Sequence, residues 1–100
     1  MDYKEEFKQM LDEWGEDAQI EVCIEEMAEL TQALIKYKRM KRKPEYHVGR
    51  EQEYLEHIKE EVADVLNCVH QMAHIFGEEE ICKICDEKIK RTINRLKDKK

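Results

Sequence analysis

The stretch LEHIKEEVADVLNCVHQMAHIF, Leu55 to Phe76, decides the fold class. Its apolar residues Leu55, Ile58, Val62, Val65, Val69, Met72 and Phe76 recur at alternating spacings of three and four. That is the period of one face of an α-helix, whereas a half-buried strand alternates every second residue. Upstream, Ile20, Ile24, Met27, Thr31 and Leu34 repeat the spacing. Two such stripes make the seam of an antiparallel helical bundle, or of a bundle that pairs with a second copy of the chain.

The breaks between helices are few: Gly15, the stretch from Pro44 to Gly49, and Gly77. They divide the chain into four expected helices, at about 2–14, 17–42, 51–76 and 78–97, in one domain covering 1–100. Asp17 is the expected N-cap of the second helix, and Gly77 the left-handed cap that ends the third. The fourth opens on Glu78, Glu79 and Glu80 and closes in lysines and arginines, as the helix dipole favours. The expected fold is all-α, a four-helix antiparallel bundle. A chain of 100 residues with so long an apolar stripe is expected to complete its core by oligomerisation.

Composition narrows the function classes. Three glycines and one proline leave little room for a turn-rich β protein. No stretch reads as a signal peptide or approaches the ~18 apolar residues of a membrane span, so a soluble, cytoplasmic protein with no membrane partner is expected. In that setting four cysteines do not imply a disulfide framework. A net charge of -6 argues against general nucleic-acid binding. Two basic blocks interrupt the acidity: KYKRMKRK (Lys36 to Lys43) and KIKRTINRLKDKK (Lys88 to Lys100).

Within the two central helices the charges echo one another. Shifted by 35 residues, Glu21, Glu25, Glu26, Ala28 and Glu29 fall on Glu56, Glu60, Glu61, Ala63 and Asp64. Shared apolar phase is common to any two heptad helices, but it does not explain matching carboxylates. At about 100° per residue, Glu26 lies inside the flank of its apolar arc, between Val22 and Ala33 on one side and Leu30 and Tyr37 on the other. Glu29 sits at the border. Glu61, between Cys68 and Met72, and Asp64, near the border with Gln71 and Ile75, repeat that placement. If the two helices pack antiparallel, Glu26, Glu29, Glu61 and Asp64 converge. Four partly buried anions repel one another and are costly to desolvate, so a cation is expected among them. All-oxygen ligands select Mg²⁺ first, with Mn²⁺ next.

At these residues the chain resembles a known family. E-E-x-x-E (Glu25, Glu26, Glu29) followed on the next helix by E-E-x-x-D (Glu60, Glu61, Asp64) is similar to the pattern of the MazG-like all-α nucleoside triphosphate pyrophosphohydrolases, a group related to dimeric dUTPases and dCTP pyrophosphatases. EWGEDAQIEVCIEEMAELTQALIKYKR, EEVADVLNCVHQM and KIKRTINRL extend the resemblance from about Glu13 to Leu96. It implies a homodimer or homotetramer that hydrolyses a (d)NTP to the monophosphate and pyrophosphate with Mg²⁺. Glu26, Glu29, Glu61 and Asp64 would be its metal ligands, and Glu25 either a residue that supports those ligands or the one that orients the attacking water. No base-specificity element is recognisable.

The chemistry agrees with the residues. Mg²⁺ neutralises triphosphate oxygens, a carboxylate such as Glu25 accepts the proton of the attacking water, and cations hold the phosphates. Lys36, Lys88, Arg91 and Arg95 are the expected phosphate contacts, since an up-down-up-down bundle makes the two basic blocks neighbours. Asn67 and Gln71 extend the acidic face and suit a sugar or base. Trp14, Tyr37 and Tyr46 have the chemistry to stack on a base, although Trp14 and Tyr37 also read as core.

Other motifs point to simpler roles. Cys82-x-x-Cys85 has no second ligand pair for zinc, and Cys85 is expected in the core. His70 and His74 are expected at the surface and Lys97 to Lys100 as a solvated tail, while His47 in the loop is placed where it could touch a nucleotide. A ferritin-like di-iron site needs Glu-x-x-His on two helices, and no glutamate here has a histidine three residues on. The alternative to an enzyme is a non-catalytic, acidic helical module that binds nucleotides or a protein partner.

Overall fold

The computed structural model describes residues 3–99, so the expected helix start at Asp2 and the tail end at Lys100 lie outside the described residues. The fold is all-α: α1 (Lys4–Arg42), a single 3-10 turn (Pro44–Tyr46), α2 (Glu51–Phe76) and α3 (Glu78–Asp98), with no strand among the described residues. None of these helices is long and apolar enough to cross a membrane.

The two helices expected at about 2–14 and 17–42 run on as one, broken by a kink at Gly15. There φ is 85° and ψ 162°, a region essentially reserved for glycine, where an L residue costs about 1–3 kcal/mol. Helical geometry resumes directly after it. Asp17 is therefore not an N-cap but lies in the first turn of the resumed helix, where its carboxylate still meets the positive dipole end. The kink folds the N-terminal arm against α2: the Phe7 ring meets His74 with centroids 6.3 Å apart, and Gln71 Nε2–H donates to Met10 Sδ at 2.9 Å. His70 and His74 are consequently half-buried and not free surface residues.

At the other end the hairpin is pinned. Tyr54 is buried at the start of α2, and its hydroxyl shares a 2.9 Å hydrogen bond with His47 Nδ1 in the loop. The Arg50 guanidinium lies over the Tyr54 ring at 4.9 Å, an arrangement favoured by the ring's quadrupole. Gly77, at φ 118°, ends α2 as expected, its N–H donating to the Ala73 carbonyl.

The seam between α1 and α2 is rotated from the one the apolar spacing predicts. Its buried residues are Gln19, Cys23, Ala33 and Met40 on α1, and Tyr54, Glu61 and Cys68 on α2. Tyr54, Glu61 and Cys68 are spaced by seven, one straight heptad row, and small residues at the crossing let the helices approach closely. Val62, Leu66, Val69 and Phe76 of α2 are left exposed, as are Met27 and Leu34 of α1. Thr31 is exposed too, its hydroxyl donating to the Met27 carbonyl. Around each axis these apolar residues lie on one side of the seam, while Glu29 and Asp64 lie on the other. Because the helices are antiparallel, equal rotations bring both apolar rows to one side of the hairpin and both acidic borders to the opposite side.

α3 does not fold back to close a bundle within the single chain. No Cα of α3 comes within 8 Å of one on α1, and no described residue of α3 is buried. The molecule is flat, 48 × 44 × 21 Å, with a radius of gyration of 17.6 Å, where a compact 100-residue domain has about 13 Å. Cys82 and Cys85 are free thiols on exposed positions, so Cys85 is not a core residue of this chain.

Candidate metal centre

The heptad row that α2 buries against α1 carries a carboxylate in its middle. Glu61 is only 8% exposed, and Glu26 faces it half-buried from α1. One ligand oxygen from each of Glu26, Glu29 and Glu61 lies within 4.8 Å of the other two. Asp64 is exposed at the rim, outside the close group, and its charge acts on Glu26. Glu25 is exposed beside the cluster in sequence and is not part of the close group.

Two oxygens of this cluster, Glu26 Oε2 and Glu61 Oε2, are buried without any hydrogen-bond partner. A buried, unsatisfied acceptor costs about 1–3 kcal/mol, and more when charged. Burial, followed by the charges of Glu29, Asp64 and Glu61 and a hydrogen bond with Asp64, pushes the Glu26 carboxyl above its ordinary 4.5. The arrangement therefore favours a cation, or a retained proton in its place. Cys68 is buried beside the carboxylates. Burial first, then Cys23, Glu26 and Asp64, push its thiol up to about 11, so it stays a neutral thiol and offers no soft thiolate. The ligand set is hard oxygen alone, which suits Mg²⁺ or Mn²⁺.

The raised Glu26 has a signed consequence. Between about 4.5 and the raised value the folded chain retains a proton there that the unfolded chain has released, so this group's contribution to metal-free stability is full below about 4.5 and is lost as pH rises through the raised value. In EDTA, Glu26→Gln should therefore melt close to wild type at acid pH and progressively above it towards neutrality. A melting difference that does not change with pH would contradict the assignment.

Grooves open on both sides of the cluster along the hairpin. One, of about 370 Å³ and mostly apolar, is lined by Trp14, Ala18, Gln19, Val22, Cys68 and Gln71. Trp14 is 62% exposed at its edge and is not core. The other, of about 550 Å³, is polar and carries Lys36, Arg50 and His57 together with the carboxylates of Glu53, Glu56 and Glu60. With a rise of about 1.5 Å per residue, Gln19 and Lys36 each lie about 10 Å along α1 from the nearer glutamate of the cluster. Glu53 holds the Arg50 guanidinium at 3.2 Å, and Arg50 in turn keeps the Glu53 carboxyl below its usual range.

Other expected contacts are distributed differently. Gln71 borders the apolar groove while bonding Met10, and Asn67 lines a separate cleft under the N-terminal arm with Tyr3, Phe7 and Met10. Tyr37 is half-buried beneath Lys41, whose Nζ lies 5.6 Å from the ring centroid. Tyr46 is exposed at the hairpin tip, in a basic cleft with Arg39, Arg42 and Lys43. Lys88, Arg91 and Arg95 sit on α3, which does not approach α1, so the two basic blocks are not neighbours within one chain. Sequence reasoning passed over His57, whose Nε2 lies 3.4 Å from Glu61 Oε1, and Arg50 in the polar groove. For His57 the available signal was its position one helical turn before Glu61.

Comparison of the chain with family models, curated proteins and solved structures finds no match in any of the three.

Proposed function

We propose that the chain is a Mg²⁺-dependent nucleoside triphosphate pyrophosphohydrolase of the MazG-like kind, working as a homo-oligomer. The observation that carries this reading is the oxygen cluster of Glu26, Glu29 and Glu61, with two unpartnered buried oxygens, between an apolar groove edged by a tryptophan and a polar groove holding Lys36 and Arg50. A nucleoside triphosphate has the matching order: a flat apolar base, a reactive centre, and a polyanion.

Glu26, Glu29, Glu61 and Asp64 would hold the metal. When bound there, Mg²⁺ would supply positive charge to the phosphate oxygens and to the attacking water. Trp14 offers its face to the base, and the amides of Gln19 and Gln71 line the same groove. Lys36 and Arg50 meet the phosphates. Glu25, exposed outside the close group, would accept the proton as water attacks the α-phosphorus, and the bond to the β-phosphate breaks to release pyrophosphate. Asn67 is exposed in the cleft beside the N-terminal arm, outside both grooves. Lys88, Arg91 and Arg95 serve a site only if α3 reaches one in the oligomer, where the four-helix bundle would also be completed.

The test is incubation with a panel of ribo- and deoxyribonucleoside triphosphates, with Mg²⁺ and with EDTA, separating pyrophosphate from orthophosphate. Metal-dependent release of pyrophosphate and monophosphate is expected. Intact nucleotides, with the protein folded and oligomeric, would turn the assignment to the non-catalytic helical module.

A further inference from the structure

We infer that His57 is a positioning residue, holding one oxygen of Glu61 so that the other is committed to the metal. The inference rests on the metal reading of the carboxylate cluster. Glu61 lies on the buried row of α2, and His57 precedes it by four residues, so both side chains share one helix face. His57 presents Nε2 to Glu61 Oε1 at 3.4 Å. Among the described residues that imidazole is the only polar partner of the Glu61 side chain, and Oε2 is left buried and unpartnered.

A glutamate side chain has three rotatable bonds, and fixing them has an entropic cost. With Oε1 engaged, much of that ordering is done before any ion arrives, and the carboxylate presents Oε2 alone. Nε2 is the ring nitrogen that faces the carboxylate, so it is the one that would supply the donated proton. Residues that orient a ligand in this way matter to affinity nearly as much as the ligands themselves. His57 also lines the polar groove with Lys36 and Arg50, its side chain 38% exposed, so it stands between the phosphate groove and the cluster.

The test is Mn²⁺ binding to the purified full chain, by calorimetry or by the electron paramagnetic resonance signal of free Mn²⁺, with no substrate present. His57→Ala should bind about 10–100-fold more weakly than wild type. His57→Gln, whose amide N–H reaches roughly the place of Nε2, should stay within a few-fold of wild type. Should the alanine variant lose its helical circular dichroism, His57→Leu replaces it, keeping bulk without a donor. Wild-type affinity in the variant lacking a donor overturns the inference while leaving the metal centre intact. Equal weakening in the glutamine variant overturns it too, because a donor would then not be what matters. Failure of the wild-type protein itself to take up Mn²⁺ removes the metal reading, and this inference with it.

Discussion

Glu61→Gln should abolish metal-dependent pyrophosphate release and at the same time raise the melting temperature of the metal-free protein. Both effects have one cause. The Glu61 side chain is almost completely buried, its Oε2 has no partner, and the carboxylates of Glu26 and Glu29 lie within 4.8 Å of it. Replacing the anion by an amide removes a repelled charge and adds N–H donors that either neighbour can accept. Relief of one unsatisfied buried acceptor corresponds to about 1–3 kcal/mol, or roughly 4–8 °C per kcal/mol in a domain of this size. The same change removes one of the proposed ligands, and on that proposal activity should fall by about 10³-fold, the upper range for loss of one electrostatic group at a reacting centre. Mg²⁺ should raise the melting temperature of wild type and leave that of the variant unchanged, since only a folded state that binds the ion gains from it. A variant less stable than wild type in EDTA would mean that Glu61 is a structural residue satisfied in some other way. Calorimetric melts with and without Mg²⁺ distinguish the two. Sites of this kind commonly trade stability for function.

Leu66→Asp should convert a wild-type dimer or tetramer into a monomer that melts with little cooperativity. Leu66 is 45% exposed, in a row with Val62, Val69 and Phe76, and the Met27 and Leu34 side chains of α1 extend the same face. α3 adds Ile84, Ile89, Ile93 and Leu96, all exposed. A small monomer seldom leaves so many large apolar side chains in water, and no described residue of α3 is buried. Burying an unpaired carboxylate costs several kcal/mol, and each ~1.4 kcal/mol is tenfold in a dissociation constant, so a loss of about 100-fold or more in association is expected. Light scattering after size exclusion, and melting as a function of protein concentration, give the readout. A wild-type chain that is monomeric and melts cooperatively at every concentration would refute the oligomer and leave the apolar face unexplained. The face lies opposite the side on which Glu29 and Asp64 open, so an oligomer built on it leaves the carboxylate cluster accessible.

Much of this molecule is legible in its residues because helix is a local property. The three-four spacing from Leu55 to Phe76, the glycines at positions 15 and 77 and the charged helix ends act within a few residues of themselves. The helix bounds at 42, 51, 76 and 78 follow from them. The pairing of Glu26 and Glu29 with Glu61 was legible for a related reason: a repeated carboxylate pattern at constant phase on antiparallel helices has to meet if those helices pack at all. The rotation of the seam was not legible. Apolar residues at 62, 65, 66 and 69 cover a wide arc, and nothing local selects which part of it faces α1. The choice falls to close packing of Ala33, Cys23 and Cys68, which turns Glu61 inward and Leu66 outward. The same limit hid the N-terminal arm lying over Asn67 and Gln71, and it hid the departure of α3 from the hairpin. Periodicity within each segment thus determined that this protein is helical and that its acids lie on one border. Which faces meet, and therefore which carboxylate oxygens are buried without partners, depends on contacts between residues far apart in the chain, and only the tertiary structure decided that.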